Sequence, residues 1–308
     1  MSEHIVLLDD MVAVPGRRAE LFDLFKTRYV PRAEERGLLM TEVFRFDDDG
    51  LILEWTLPDV AGFWATRRAS MSDPEVATFW ADARQLIARR TRKWRDVSFG
   101  PEVDEPEQPL PETSHHIVLL EDGVLPTGVR MSNGRTWTGV HLRGSVGPAH
   151  ASLEVALEPG SDARLADVPG AVDVVAFGER VGGASRAPEI SNGIKRTLLL
   201  RVLPETPPDV IDDFELDLLG MPQYIGAIRS WRLSRVESSH GGWTHCWEQE
   251  YEDVSGLQRD YMNHPYHWAH VDGWFDAEDP KCIVGPELVH VYYEIESSIL
   301  TAAAIPEI

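Results

Sequence analysis

The sequence predicts an α+β protein built from tandem βαββαβ units, with a degenerate, strand-rich middle unit between them. Three observations predict it. The stretches EHIVLLDD (3 to 10) and HHIVLLED (115 to 122) share six of eight residues, and IKRTLLLRV (194 to 202) is a third apolar strand of similar build. Repeated strands of this kind mark the openings of repeated structural units. Within the first and last units the hydrophobic period runs strand, helix, strand, strand, helix, which is the order of a ferredoxin-like sheet with helices on one face. Between them, GPEVDEPEQPLPETS (100 to 114) holds four prolines and five acids in fifteen residues, the composition of an extended linker.

The first unit, residues 1 to 106, opens with the strand at 3 to 10. RRAELFDLFKTRYVPRAEERG follows as a helix, with Leu21, Phe22, Leu24 and Phe25 on one face and Gly37 as its stop. LMTEVFRFDDDGLILEW reads as two strands about an Asp-Gly turn. DVAGFWATRRAS and PEVATFWADARQLIARRTRKW read as helices, and the basic run RQLIARRTRKWR (84 to 95) is expected to be an amphipathic helix with a solvated cationic face.

The middle unit, residues 107 to 190, offers MSNGRTWTGVHLRGSVGPAH, rich in Gly and Ser, where a first helix belongs. ASLEVALEPGSDARLADVPGAVDVVAFGERV then reads as strand, short helix, strand, and RVGGASRAP (180 to 188) reads as a linker. The third unit, residues 191 to 308, repeats the order of the first. PPDVIDDFELDLLGM starts with prolines suited to a helical first turn and carries Val210, Phe214 and Leu218 as an apolar stripe. IGAIRSWRLSRV and GWTHCWEQEYED are strands, VSGLQRDYMN and PYHWAHVDGWF are helical, and LVHVYYEI closes the sheet.

Composition excludes several classes of function. A formal net charge of -22 repels nucleic acid and anionic membrane surfaces alike, so neither is an expected partner. No apolar run reaches the ~18 residues a bilayer span needs. The sequence enters its first strand without a basic leader or cleavage site, and two cysteines, Cys246 and Cys282, lack disulfide-framework or metal-finger spacing. A cytoplasmic location is expected. There is no Gly-x-Ser-x-Gly elbow, phosphate-binding loop, dinucleotide-binding glycine motif or Cys-x-x-Cys.

The candidate site is DYMNHPYHWAH (260 to 270). Pro265 suits the first position of a helix, which leaves His264 at the N-cap and His267 one turn further in, near Tyr261. A neutral imidazole takes a proton at physiological pH, and a positioned general base contributes roughly 10²- to 10⁴-fold in rate. His267 is the candidate base. The Tyr261 phenol is the candidate donor to an enolate oxygen. Around them Trp247, Tyr251, Tyr266, Trp268, Trp274 and Phe275 read either as the lining of an aromatic ligand pocket or as the core of a small sheet. Histidines 264, 267 and 270 advance by three, whereas helical metal pairs favour a spacing of four, so no metal is expected.

The first unit supplies an internal control. Laid over YMNHPYHW (261 to 268), SMSDPEVA (70 to 77) matches Pro74 with Pro265 and sets Ser70, Asp73 and Val76 against Tyr261, His264 and His267. The backbone there keeps its proline without imidazoles. His245, inside a strand, reads as a packed structural histidine.

GWTHCWEQEYEDVSGLQRDYMNHPYH resembles the pattern of the stress-responsive dimeric A/B barrel (Dabb) family, a Gly-aromatic-x-His strand followed by a Tyr-x-x-His-Pro-x-His helix entry. The first unit is similar, more loosely, to NIPSNAP and antibiotic-monooxygenase-like proteins. The resemblance implies barrels formed by two facing sheets, and the first and third units of this one chain are expected to supply both halves as an internal pseudo-dimer, with a homodimer also open. A cofactor-free cyclase of the family closes a polyketide chain by an intramolecular aldol reaction with a Tyr and a His of this motif, which correspond to Tyr261 and His267. The sequence departs from it at Arg196, where that enzyme has a further His, and in FELDLL, which lacks its helical Tyr. The expected function is therefore a cofactor-independent enzyme that abstracts a proton α to a carbonyl of a small aromatic or polyketide-like substrate, as a cyclase, lyase, dehydratase or isomerase. A non-catalytic ligand-binding stress-response protein, or a haem- or metal-dependent monooxygenase-like protein, stands as the alternative.

Overall fold

The computed structural model describes residues 4 to 47, 49 to 121, 134 to 157 and 165 to 302. Contacts divide the chain into two compact units, where the sequence alone suggests three segments. One holds Met1–Phe99 together with His267–Cys282; the other holds Gly100–Tyr266 together with Ile283–Ile308.

The first unit begins with β1 (Ile5–Ala13). Helix α1 (Arg18–Leu24) runs through a π-helical turn, Phe25–Tyr29, into α2 (Val30–Glu35). Gly37, at φ +90°, ends it in the left-handed region that glycine enters without a Cβ penalty. Strands β2 (Leu39–Phe46) and β3 (Gly50–Leu57) follow, then α3 (Val60–Met71), α4 (Pro74–Ala83) and β4 (Ile87–Trp94). Asp59 and Asp73 cap the last two helices by accepting from Gly62 N at 2.7 Å and Glu75 N at 3.0 Å. The antiparallel sheet runs β2-β3-β1-β4, and Leu7, Met11, Phe25, Trp55 and Trp80 fill its core.

The basic run at 84 to 95 is a correction to the sequence reading. Its helix ends at Ala83, and Ile87–Trp94 is a strand paired with β1, Leu7 opposite Trp94 and Asp10 opposite Thr91. The alternation of a strand turns Arg90 and Arg92 to the same side. There they meet Asp9, which is fully buried and accepts from Arg90 Nη2 at 2.6 Å, Arg92 Nε at 3.1 Å and Trp55 Nε1 at 3.1 Å. Burial alone would raise the Asp9 carboxyl; the two guanidiniums outweigh burial and hold it below its ordinary range. The cationic side chains are thus inside because an acid waits for them.

In the second unit the proline-rich stretch docks through its acids. Glu105 pairs with Arg229 at 2.8 Å, Glu107 with Arg186 at 2.6 Å, and Glu112 with Arg180, while a short strand, β5 (Gln108–Pro109), joins the sheet. The middle segment supplies β6 (Ser114–Leu120), β7 (Gly134–Val140), β8 (Ala151–Leu157), a 3₁₀ turn at Leu165–Asp167, and β9 (Ala171–Ser185). Parts of its sequence reading, MSN (131 to 133) and EPGSDAR (158 to 164), lie outside the described residues. RVGGASRAP is corrected from linker to strand, because Arg180–Ser185 completes β9. The paired glycines serve close packing: a Cβ at Gly182 would come within 2.8 Å of Leu219, and one at Gly183 within 2.6 Å of the Trp231 carbonyl. The last segment gives β10 (Ser191–Leu200), α5 (Pro208–Tyr224), β11 (Ser230–Ser238), β12 (His245–Tyr251), a π-helical segment Gly256–Tyr261, and β13 (Val289–Ser297).

All nine strands form one sheet, β13-β10-β12-β11-β9-β6-β8-β7, with β5 added on β9. Each half lists its four strands in the order fourth, first, third, second, the same order as the first unit. The middle segment is therefore a βαββαβ relative whose strands persist. Strand β9 pairs with β11, and the far edges meet where Leu142 N–H donates to the Tyr292 carbonyl at 2.9 Å and Val146 bridges His290. Sheet closure rolls the unit into a barrel. This corrects the expected pairing of first and third units: the third segment's sheet is completed by the middle segment, and the first unit keeps a four-stranded sheet of its own. Among the described residues no helix is long and apolar enough to cross a membrane.

One end of the barrel interior is apolar, with Ile117, Leu119, Val175, Leu199, Cys246 and Val291. The other is an ion cluster. Lys195 Nζ donates to Glu154 at 2.9 Å, Glu248 at 2.7 Å and Thr197 Oγ1 at 3.0 Å; Arg232 Nε donates to Glu248 at 2.7 Å, and His115 Nε2 meets Glu154 at 2.8 Å. Two cations face two carboxylates, so His115 has no charge left to balance. Burial, with Arg232 adding to it, pushes its imidazole down to about 4.

That depression sets a pH dependence. An imidazole near 6.5 in the unfolded chain takes up a proton that the folded chain refuses, so the stabilisation is full above pH 6.5 and is lost as pH falls toward 4, about 3 kcal/mol in all. Asp272 in the first unit, raised to about 6 mainly by burial, works in the opposite direction over part of the window. The comparison is therefore between wild type and His115→Gln. Urea denaturation at pH 6.5 and pH 4 is expected to show the variant losing about 3 kcal/mol less than wild type; equal losses contradict a neutral buried His115.

Candidate functional site

A strand buried on both faces sends alternate side chains to different environments. In β10, Lys195 and Thr197 face the barrel interior; Arg196 and Leu198 face outward, Arg196 toward the Tyr261 ring at the end of Gly256–Tyr261. In β12 the paired residues divide likewise, with Glu248 and Glu250 inward and Trp247, Gln249 and Tyr251 outward. All seven residues of β12 are buried although six of them, all but Trp247, are ionisable or amide-bearing.

On the outward face Arg196 is 4% exposed. Its Nε donates to His290 Nε2 at 2.7 Å and its Nη1 to Gln249 Oε1 at 2.6 Å, and its guanidinium lies 5.1 Å from the centre of the Tyr261 ring. Both hydrogen-bond acceptors are neutral, since an imidazole nitrogen that accepts from a guanidinium carries no proton. Among the described residues no carboxylate pairs with Arg196. Tyr251 also donates to Gln249 Oε1, at 2.9 Å, and meets Tyr261 edge-on at 6.0 Å. With its oxygen doubly engaged, the Gln249 amide turns Nε2 away, and that buried N–H has no acceptor; neither has the buried indole N–H of Trp247 two residues earlier. The layer holds an uncompensated positive charge and two unspent donors within an aromatic setting.

The structure distributes the sequence-predicted residues between the two units. Tyr261, His264, Trp247, Tyr251 and Tyr266 belong to the second unit; His267, Trp268, Trp274 and Phe275 are grouped with the first. Tyr261 is 2% exposed. Tyr266 stacks on Tyr224 at 4.8 Å, with its hydroxyl where a Cβ on Gly220 would stand. The His267 ring, 9% exposed, leans on Trp64 at 5.1 Å. Trp268 packs into the first unit's core against Phe63 and Trp94, Lys281 lies over the Trp274 ring at 4.5 Å, and the Phe275 carbonyl accepts from Arg67 at 2.6 Å. The candidate site of the second unit is built without these four.

His264 has a structural task. Its Nδ1 accepts from Tyr266 N at 3.2 Å, as Asp73 accepts from Glu75 N at the matching place in the first unit. His245 bonds Glu215 at 3.0 Å and Thr244 at 2.8 Å, the packing role its strand position suggests. Sequence reasoning passed over Gln249 and His290 and noted Arg196 only as a departure. The available signal was the alternation of HCWEQEY against IKRTLLL, which places Arg196 and Gln249 on one face.

His115, Glu154 and Glu248 bring ligand atoms together as a metal site would, but the Lys195 ammonium sits between both carboxylates. A groove of about 1000 Å³ lies along β7 and β13, with Trp137, Tyr293 and Ile295 among its lining and Asp253, Glu294 and Glu296 as its acids; among the described residues that line it there is no cation.

The Stress responsive A/B Barrel Domain family model matches residues 194–279. No curated protein matches the chain. Among solved structures, a NIPSNAP domain protein of Burkholderia xenovorans is similar at 12% identity, covering 32% of this chain and 99% of its own, with a TM-score of 0.27. A NIPSNAP family protein of Agrobacterium tumefaciens is similar at 13% identity over 32% of this chain and 94% of that one, TM-score 0.28. SnoaB of Streptomyces nogalater, a cofactor-independent oxygenase, is similar at 18% identity over 36% and 99%, TM-score 0.26. Likenesses of this size say nothing about activity.

The cap makes a testable pair. His264→Ala is expected to cost ~1 kcal/mol in thermal denaturation, whereas His264→Asp restores the acceptor that Asp73 already provides in the first unit. Burial lowers the His264 imidazole, so its contribution is present above the unfolded value and is lost as pH falls; the Asp variant is expected to keep its cap to lower pH.

Proposed function

We propose that the outward face of the third segment binds a small aromatic or polyketide-like carbonyl compound and steadies negative charge on its oxygen, as a cofactor-independent cyclase, lyase, dehydratase or isomerase requires. The observation that carries this reading is Arg196, a buried guanidinium whose acceptors are both neutral. Burying an unpaired cation costs several kcal/mol, and a ligand that brings an oxyanion repays that cost. The Gln249 and Trp247 N–H groups are further donors for the same kind of atom. Tyr261, with its ring against Arg196, is the phenol assigned to the enolate. A donor already aligned for a charge that appears only during reaction favours the transition state over the substrate.

Removal of the proton by His267 is a separate proposal and rests on the Tyr-x-x-His-Pro-x-His motif. Ala at position 267 tests it alone: abolished turnover with ligand binding retained supports a base there, and unchanged turnover rejects it.

Arg196→Met keeps the length and buried stem of the side chain and removes its charge. Calorimetric titration with an enolisable aromatic β-diketone is expected to show at least tenfold weaker binding, the size of one charge-assisted hydrogen bond. Tyr261→Phe is expected to lower kcat by roughly 10²- to 10³-fold with KM little changed. Equal affinity in Arg196→Met rejects the site. Binding that depends on Arg196 without turnover of any enolisable substrate favours a ligand-binding protein.

A further inference from the structure

Residues 267 to 282 lie far from the first ninety-nine in sequence but are part of their compact unit, and the acids of this segment thread through its arginines. Glu278 is 4% exposed; its Oε1 accepts from Tyr29 OH at 2.8 Å, Arg36 Nη2 at 3.2 Å and Trp80 Nε1 at 3.4 Å. Its carbonyl accepts from Arg90 Nη1 at 2.6 Å. Asp272 accepts from Arg67 Nε at 3.0 Å, and Asp276 lies 3.5 Å from Arg67 and 3.4 Å from Arg92. Four guanidiniums thus face Asp9 and three carboxylates of the strap. Residues 1 to 99 alone would set the four against Asp9, over a floor of Tyr29, Trp55 and Trp80, which is the lining of a cleft for an aromatic or aliphatic acid.

The occupant fits incompletely. The Arg36 side chain is 6% exposed, yet its Nε and Nη1 have no acceptor, so Glu278 uses one nitrogen of a group that grips a carboxylate with two parallel N–H bonds. A buried guanidinium left half-satisfied costs stability that a better-placed acid would recover. Tyr29, pushed up chiefly by burial, stays protonated and serves as a donor.

We propose that the Tyr29–Arg36–Trp80 cleft is a binding site for a small carboxylic acid and that Glu278 fills it as an internal stand-in for the ligand's carboxylate. An incoming acid displaces the Glu278 carboxylate and takes Arg36 Nη2 together with the idle Nε, the two N–H groups that share one edge of the guanidinium. Nothing in this depends on Arg196 or Tyr261.

The test uses the full-length chain with acetate as probe, because Glu278→Ala removes one methylene and a carboxylate, the dimensions of acetate. In Glu278→Ala, melting temperature is expected to rise saturably with millimolar acetate and not with chloride at equal ionic strength, and the half-saturating acetate concentration to be at least tenfold lower than in wild type. Adding Arg36→Lys is expected to abolish the acetate effect, since lysine has no fork. Acetate acting no better than chloride in Glu278→Ala overturns the proposal. Should that variant fail to fold, hydrogen exchange of wild type decides: faster exchange at 276 to 281 with rising benzoate supports displacement, and exchange that does not change overturns it.

Discussion

The second unit depends on Lys195. Its ammonium is contributed by β10, and its carboxylates come from β12 on the same half of the barrel and from β8 on the other. Among the described residues the one other cation at these two buried glutamates is Arg232, which already doubles on Glu248. Burial pushes the Lys195 ammonium down; Glu154 and Glu248 more than reverse it, and the charge is held. Register follows from this requirement. A slip of one residue in β10 would exchange Lys195 for Arg196 on the inner face and take the ammonium out from between Glu154 and Glu248 into the aromatic layer. Neutral His115 is the remaining condition, met by its burial and by the neighbouring Arg232 charge.

The same alternation accounts for the candidate site. Two consecutive cations in one strand meet opposite fates because the strand's two faces are covered by different partners. The inner face is furnished with acids by both halves of the barrel, Glu154 from β8 and Glu248 from β12, and the outer face with tyrosines, tryptophans and an amide by the third segment itself. A cation that only packs beside aromatic rings gains a modest attraction, ~2 kcal/mol when desolvated, which does not repay its burial. Arg196 is costly to folding in the form seen, and a cost retained beside the two unspent donors of Gln249 and Trp247 is the ordinary mark of a site built for something else.

Local patterns in the sequence disclosed the βαββαβ order, the HIVLL repeat and the Pro-anchored cap, because each rests on contacts within one turn or one strand. His264 and Asp73 were aligned from eight residues and perform the same bond. What escaped was set by distant partners. IARRTRKW has enough charge to look like a solvated helix, and only buried Asp9, some eighty residues earlier, makes two of its arginines interior. Arg180–Ser185 looked like a linker because its glycines have no side chains to show a period, although the space they leave is taken by Leu219. Nor does a helical stripe say which sheet it covers: Trp268, Trp274 and Phe275 carry the pattern of a ligand wall and serve instead with the first unit, while the second half of the barrel came from the segment whose helices are least recognisable.

Across the chain, buried cations fall into a series ordered by how fully protein carboxylates answer them. Lys195 is closed: two glutamates and a hydroxyl take all three of its protons, and an ion cannot enter without evicting it. Arg90 and Arg92 share Asp9 and are nearly closed. Arg36 has a carboxylate on one nitrogen of three, so its site has an occupant that a ligand can better. Arg196 has none, and its site has no occupant of its own sign-opposite kind. For a protein whose surface is strongly acidic, anionic ligands must be drawn in by local charge against a repelling long-range field, and charge that is already spent on the protein's own acids draws nothing. The electrostatic difference between framework and site is therefore how much of each buried positive charge the fold has left unanswered, and by that measure Arg196 outranks every other buried cation of the described residues.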